Sequence, residues 1–346
     1  MYELFQPQAP CQAAAEQAQR TSLCMSVEQI YAPVRDDFER VNQLIHEQLS
    51  SHVPLVEHIA HYIVDSGGKR LRPLLVLLSA KALDYRGDQH PKLAAIIEFL
   101  HTATLLHDDV VDTSDMRRGK TTANARWGNA PSVLVGDFLY SRSFQMMVQL
   151  ESMRIMEVLS DATAVIAEGE VLQLMNSKNP DVSEAQYMTV IRNKTAMLFQ
   201  AASHSGALLA DADAATEKAL RDYGLHLGLA FQILDDVLDY EGNAVAMGKN
   251  VGDDLAEGKP TLPLIYAMQH GTDAQAQMIR QAIRKGGLDQ LEAIVSAVQE
   301  SGALRYARQC AQDEADRALS CLERLPESAC RDALAHLVTL AVERDA

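Results

Sequence analysis

An all-α fold is what this sequence predicts, as one domain of many long helices. Three observations predict the helices. No proline occurs between Pro131 and Pro180, or between Pro180 and Pro260, and proline would break a helix interior. Within those spans apolar residues recur at the spacing of an α-helix, as in VLVGDFLYSRSFQMMVQL and RIMEVLSDATAVIAEGEVLQLM. Strand signals are scarce: apolar and polar residues do not alternate for long, and no Asn-Gly pair joins two apolar runs. With 47% hydrophobic residues in 346, the chain can bury a sizeable core.

In chain order, residues 1–26 are rich in Gln and Ala and carry two prolines, which predicts a poorly ordered N-terminal extension. From Val27 the pattern is helical, and residues 27–346 read as a single domain. GGKRLRP, residues 67–73, ends on Pro73, a residue suited to a helix start. A helix follows from about Pro91 to Asp112 and contains LLHDDVVD, residues 105–112. After the basic run DMRRGK, residues 115–120, one helix starts near Ser132 and the next returns beside it. NKT, residues 193–195, precedes a long apolar stretch that reaches ILDDVLD, residues 233–239, and then GKNVGDD, residues 248–254. There is no repeat of fixed period, although the two Asp clusters suggest a distant pseudo-symmetry.

Charge and cysteine content exclude some classes. Thirty-one Lys and Arg against 47 Asp and Glu leave a net charge of −16. A general nucleic-acid binder would need a basic face instead. The five cysteines show no CxxC spacing and read as reduced thiols inside a cell. No segment approaches the ~20 apolar residues of a membrane span. The N-terminus lacks the basic and apolar regions of a signal peptide. The expectation is a cytoplasmic protein, with peripheral contact to a membrane surface left open.

The Asp clusters carry the chemistry. Asp108 and Asp112 are four apart and share a helix face, with Asp109 beside them. His101, seven residues before Asp108, falls within about 20° of it in projection. In the second cluster Gln232 and Asp236 are four apart, as are Asp235 and Asp239. A solvated helix face is the plain alternative. Against it, TATLL, VV, AFQIL and VL make both helices apolar on several sides. Carboxylates buried at this density cannot all ionise without cations. Oxygen donors with few His or Cys neighbours suit Mg²⁺, which takes one or two carboxylates plus phosphate oxygens. Local basic residues would complete such an anion site: Lys69, Arg70 and Arg72 after two glycines, then Arg117 and Arg118, Lys194 and Lys249. Singly, each basic group reads as surface solvation. Alternating with the two Asp clusters, they describe a diphosphate site.

Together GGKRLRP, LLHDDVVDTSDMRRG, NKT, FQILDDVLD and GKNVGDDLAEGKPTLPL resemble, in this order, the motifs of the trans-polyprenyl diphosphate synthases. The likeness covers residues 27–346 and is nearest to the bacterial octaprenyl type. It implies an isoprenoid-synthase fold, with many long helices around a deep central cavity, usually a homodimer, that condenses isopentenyl diphosphate repeatedly onto an allylic diphosphate such as farnesyl diphosphate. The product would be about octaprenyl, for quinone side chains. About three Mg²⁺ ions are implied, coordinated by Asp108, Asp112 and Asp235, with Asp109, Asp236 and Asp239 in the catalytic set. Lys69, Arg72, His101 and Arg118 would hold isopentenyl diphosphate. Arg117, Lys194, Thr195, Gln232, Lys249 and Lys259 would hold the allylic diphosphate, Lys194 also serving catalysis.

Members of that family with degraded Asp motifs are non-catalytic subunits; both motifs are intact here. Aromatics four or five residues before the first Asp shorten the product in this family. Those positions are Thr104 and Ala103, both small, so the tail path is expected to continue down the helix, with Met147 and Leu159 near its floor. The sequence around Met25 is where the likeness begins, so residues 1–24 are expected to be dispensable. A class I terpene cyclase would share an Asp-rich helix but not a second, basic diphosphate site. A helical phosphohydrolase would show several His ligands.

Overall fold

A computed structural model describes residues 27–241, 252–286 and 288–343. The expectations for residues 1–26 and for Lys249 lie outside them. The helices are α1 (Val27–Tyr31), α2 (Arg35–Gln48), α3 (Pro54–Val64), α4 (Leu71–Ala82), α5 (His90–Val111), α6 (Ala123–Trp127), α7 (Asn129–Val148), α8 (Met153–Asn176), α9 (Glu184–Ile191), α10 (Met197–Leu209), α11 (Ala214–Glu241), α12 (Asp253–Ala256), α13 (Leu262–His270), α14 (Asp273–Lys285), α15 (Leu291–Glu300), α16 (Ala303–Leu322) and α17 (Ala329–Val342). The all-α expectation holds. Among the described residues no helix is long and apolar enough to cross a membrane, and Cys310, Cys321 and Cys330 are free.

The two proline-free spans became α7–α8 and α9–α11, with Ser152 capping α8 and Ser183 forming a capping box at α9. These caps satisfy amide groups that the first helical turn leaves open. Helices α4, α5, α7, α8, α10 and α11 pack around one apolar cluster, and the C-terminal helices α13–α16 cover the far end of α11 in a second. Phe99 and Tyr223 are among the large side chains fully buried in the first cluster.

Two local readings needed correction. Helix α4 begins at Leu71, so Pro73 is its third residue; the N-cap is Arg70, in left-handed conformation at φ 43°. A proline there still costs no hydrogen bond, since first-turn amides have no helical acceptor. The DMRRGK run also forms a two-stranded hairpin, Met116–Arg117 against Lys120–Thr121. Its turn residues Arg118 and Gly119 have φ of 51° and 73°, both positive as a type I′ turn requires. Arg-Gly filled the role that Asn-Gly more often fills.

Candidate active site

Both Asp clusters lie at helix C-termini. Asp108 is in the last turn of α5 and Asp112 is its C-cap; Asp235, Asp236 and Asp239 are in the last two turns of α11. The helix dipole is negative there, so these carboxylates crowd negative charge onto negative ends. Nearby cations are needed to make such a placement favourable.

The clusters face each other across a cavity of ≈ 230 Å³ whose wall includes Asp108, Asp112, Arg117, Lys194, Thr195, Gln232, Asp235, Asp236 and Lys259. Nine expected residues thus meet in one place. Protein cations already reach across it. Lys259 Nζ is 3.1 Å from Asp112 Oδ2, and Lys194 Nζ is 3.5 Å from Asp108 Oδ2. Burial alone would lower the Lys259 pKa, but Asp254, Asp112 and Glu257 outweigh it and raise it.

The six aspartates divide by their partners. Asp109 is fully buried and accepts from Arg117 Nε at 2.7 Å. It is absent from the cavity wall, since one residue beyond Asp108 it is turned about 100° round the helix. Burial raises its pKa and Arg117 opposes the rise. Asp236 receives Tyr187 O–H at 2.6 Å on one oxygen and Gln232 Nε2 at 2.7 Å on the other, while Thr195 Oγ1 donates to Gln232 at 2.8 Å. Burial, then Asp254, pushes the Asp236 pKa far up. Asp239 accepts the backbone N–H groups of Asp253 and Asp254 at 3.2 and 3.4 Å, so it fixes the segment that brings Asp254 to the cavity. Asp108, Asp112 and Asp235 line the same cavity as Asp236 and Asp254. Among the described residues no group of three His, Cys, Asp or Glu could hold an ion unaided.

Lys194 and Thr195 sit in a π turn, Arg192–Ala196, between α9 and α10; such widened turns recur at functional sites. A Cβ at Gly169 would lie 2.8 Å from the Lys194 backbone nitrogen, so glycine lets α8 approach this turn. From α8, Glu170 accepts from Lys194 Nζ at 2.6 Å. Its burial, then Asp108, pushes its pKa up to about 7.

A second cationic group lies off the Asp cavity. Arg72 Nη1 is 3.3 Å from His101 Nε2, and its guanidinium stacks 4.3 Å over the Phe199 ring. Arg118 donates to the Gly67 carbonyl, and Gly68, at φ 146°, leaves room for that guanidinium. The Lys69 carbonyl accepts from Tyr31 O–H. Burial lowers Arg72 to about 10 and, together with Arg72, Arg118 and Arg117, keeps His101 far below its usual pKa. A neutral His101 serves as a hydrogen-bonding group. Glu98, missed in the sequence, stands among these cations with its carboxylate 3.8 Å from Arg70 Nε. Also missed were Tyr187, Glu170, Gln173, Asn176 and Asp254; Tyr187 is seven residues, two helical turns, before Lys194, a spacing that could have marked it.

A second cavity, ≈ 360 Å³ and mostly apolar, begins at Asp108 and Glu170 and runs along α5, α7 and α8. Asp108, Thr104 and Leu100 line it at four-residue steps; Tyr140, Thr163, Ile166 and Leu198 complete its lower wall. Thr104 therefore lies where the sequence placed it. Ala103 does not: it is fully buried in the core, about 100° round α5 from Thr104. Met147 and Leu159 are also off the wall and buried. They extend its stripes, Met147 two turns beyond Tyr140 and Leu159 one turn beyond Thr163.

Such a helical barrel, with facing aspartate clusters above an apolar shaft, defines an isoprenoid synthase. Residues 53–300 match the polyprenyl synthetase family model, and the chain belongs to that family. It is 55% identical over 322 residues to octaprenyl diphosphate synthase of Escherichia coli (strain K12), covering 93% of this chain and 100% of that one. It is 50% identical to the all-trans-nonaprenyl-diphosphate synthase (geranyl-diphosphate specific) of Rhodobacter capsulatus, covering 91% and 97%. A crystal structure of polyprenyl synthase from Caulobacter crescentus CB15, complexed with calcium and isoprenyl diphosphate, superposes with a TM-score of 0.90 at 46% identity, covering 93% and 99%.

Proposed function

We propose that this chain is an all-trans polyprenyl diphosphate synthase that adds isopentenyl diphosphate repeatedly to an allylic primer such as farnesyl diphosphate, giving a product of about eight units. The observation that carries this reading is one continuous geometry: facing Asp clusters, a separate cationic cluster, and an apolar shaft starting at Asp108.

Asp108, Asp112 and Asp235 would hold about three Mg²⁺ ions, which neutralise the allylic diphosphate and stabilise charge on it as it leaves. Lys194, Arg117, Lys259 and Thr195 donate to the same oxygens. Tyr187 and Gln232 hold Asp236 in place. The C–O bond of the primer breaks, with its electron pair leaving on diphosphate. The double bond of isopentenyl diphosphate, held by Lys69, Arg72, His101 and Arg118, attacks the allylic cation and forms the C–C bond. Loss of a proton restores a double bond, and the lengthened tail advances past Thr104.

Exposed apolar side chains on α7 and α8, among them Leu134, Met153, Val171, Leu174 and Met175, support a homodimer through these helices. Cytoplasmic placement, with release of product at a membrane for quinone side chains, completes the reading; residues 1–24 are dispensable in it. The purified chain, given farnesyl and isopentenyl diphosphates with Mg²⁺, should make long products by itself. Absence of turnover would favour a non-catalytic subunit, and cyclised hydrocarbon a cyclase.

A further inference from the structure

A carboxylate in a diphosphate site is an unfavourable thing to keep. Glu98 lies on α5 three residues before His101, with its side chain only 13% exposed and Oε1 3.8 Å from Arg70 Nε. Its Oε2 is buried without a hydrogen-bond partner, and so is Arg72 Nε. Burial raises its pKa, and the nearby cations Arg70, Arg72 and Arg118 oppose that rise. Wherever Glu98 is ionised, an anion entering this cluster meets the field of the arginines reduced by one buried negative charge. Packing does not require this, since an amide would fill the same space.

The reaction supplies a reason. In each condensation the primer's diphosphate departs, so the product retains the diphosphate that came in with isopentenyl diphosphate. Before the next round that group must leave the Arg72 cluster and enter the Asp cavity. The hairpin joins the two places: Arg117 is on the wall of the Asp cavity, while its neighbour Arg118 reaches the Gly67 carbonyl in the cationic cluster. A cluster that held diphosphate too well would stop the transfer between them.

We propose that Glu98 is a positioning residue that limits the grip of the Arg70–Arg72–Arg118 cluster, so that each product can carry its diphosphate across to the Asp cavity for the next addition. This rests on the synthase reading above.

Glu98→Gln should lower the KM for isopentenyl diphosphate by roughly tenfold, as expected for losing one unit charge several ångströms from the ligand in a partly screened site. At saturating substrate its products should be shorter than wild type. Glu98→Asp keeps the charge and withdraws it by one C–C bond, ~1.5 Å, so its changes should be smaller and in the same direction. A purely structural role would raise KM in both variants; that result, or a lowered KM with unchanged product length, overturns the inference. If thermal melting shows Glu98→Gln unfolded, the direction of change in Glu98→Asp decides. A wild-type chain that adds no isoprene units defeats the synthase reading itself, and this inference with it.

Discussion

Truncating Leu159 should lengthen the product by about one isoprene unit. The apolar shaft descends from Asp108 to Leu100 on α5, eight residues or ~12 Å at ~1.5 Å per residue. An extended prenyl tail advances roughly 5 Å per unit, since each adds four C–C bonds of ~1.5 Å in zigzag. The open shaft thus accepts only two to three extended units, and an eight-unit tail must fold or displace what lies below. Leu159 is fully buried one turn beneath Thr163, so Leu159→Ala lets the tail pass toward the next residue of that stripe, one helical pitch or ~5.4 Å further down. That depth matches one unit. The same change should cost about 2–5 kcal/mol of stability, as buried Leu→Ala changes do, so assays belong well below the melting temperature. Products made from radiolabelled isopentenyl diphosphate, dephosphorylated and sized by reversed-phase chromatography, give the readout. Leu334→Ala, equally buried but on α17, controls for destabilisation alone. If Leu159→Ala and Leu334→Ala give the same product distribution as wild type, the floor lies elsewhere. Met147→Ala should act in the same direction, and Thr104→Phe, on the wall itself, should stop growth within the first few additions.

Turnover should vanish in EDTA and fall by orders of magnitude in Asp108→Ala and Asp235→Ala, measured by release of labelled product; near-normal rates in either variant would remove that carboxylate from ion binding. Arg72→Ala should raise the KM for isopentenyl diphosphate more than that for farnesyl diphosphate, and the reverse ranking would exchange the two diphosphate sites. Tyr187→Phe leaves Asp236 Oδ2 without its donor, so the Mg²⁺ concentration for half-maximal rate should rise severalfold while the KM for isopentenyl diphosphate holds; an unchanged Mg²⁺ dependence would make the tyrosine a packing residue. His101 has a depressed pKa in the folded protein, so its unfolded form binds the extra proton and stability is lost as pH falls below the unfolded value of ~6.5. Melting temperatures between pH 7.5 and 5 should accordingly fall less steeply in His101→Gln, and equal slopes would contradict the assignment.

The long helices and the Asp faces were legible in the sequence because both follow from period and spacing. Asp108 and Asp112, four apart, had to share a face wherever the helix went. What period could not give was the partner of each side chain. Asp109 and Asp236 look equivalent to their neighbours in the sequence, yet Arg117 claims one and Tyr187 and Gln232 claim the other. Glu98 was hidden for a similar reason, since three of its electrostatic partners come from α4 and the hairpin. Ala103 was misplaced because its neighbour Thr104 is equally small, and only the rotation of α5 against α7 and α8 distinguishes them. The hairpin escaped notice because its turn uses Arg-Gly and its strands are two residues long.

The π turn at Arg192–Ala196 makes the chain intolerant of a kind of change that helices usually absorb. A π turn holds one residue more than the α-helical path it replaces. Loss of any single residue there would let the backbone relax into continuous α-helix, which is the better-bonded state. Everything on one side would then be rotated by about 100°: either Tyr187 leaves Asp236, or the buried face of α10, with Leu198, Phe199 and Ala202, turns out of the core. Deletions in this segment should therefore be absent from working variants, whereas substitutions at the outward-facing Arg192 should be common. A deletion library across residues 184–209, selected for growth that depends on this enzyme, would map that forbidden window directly onto the turn.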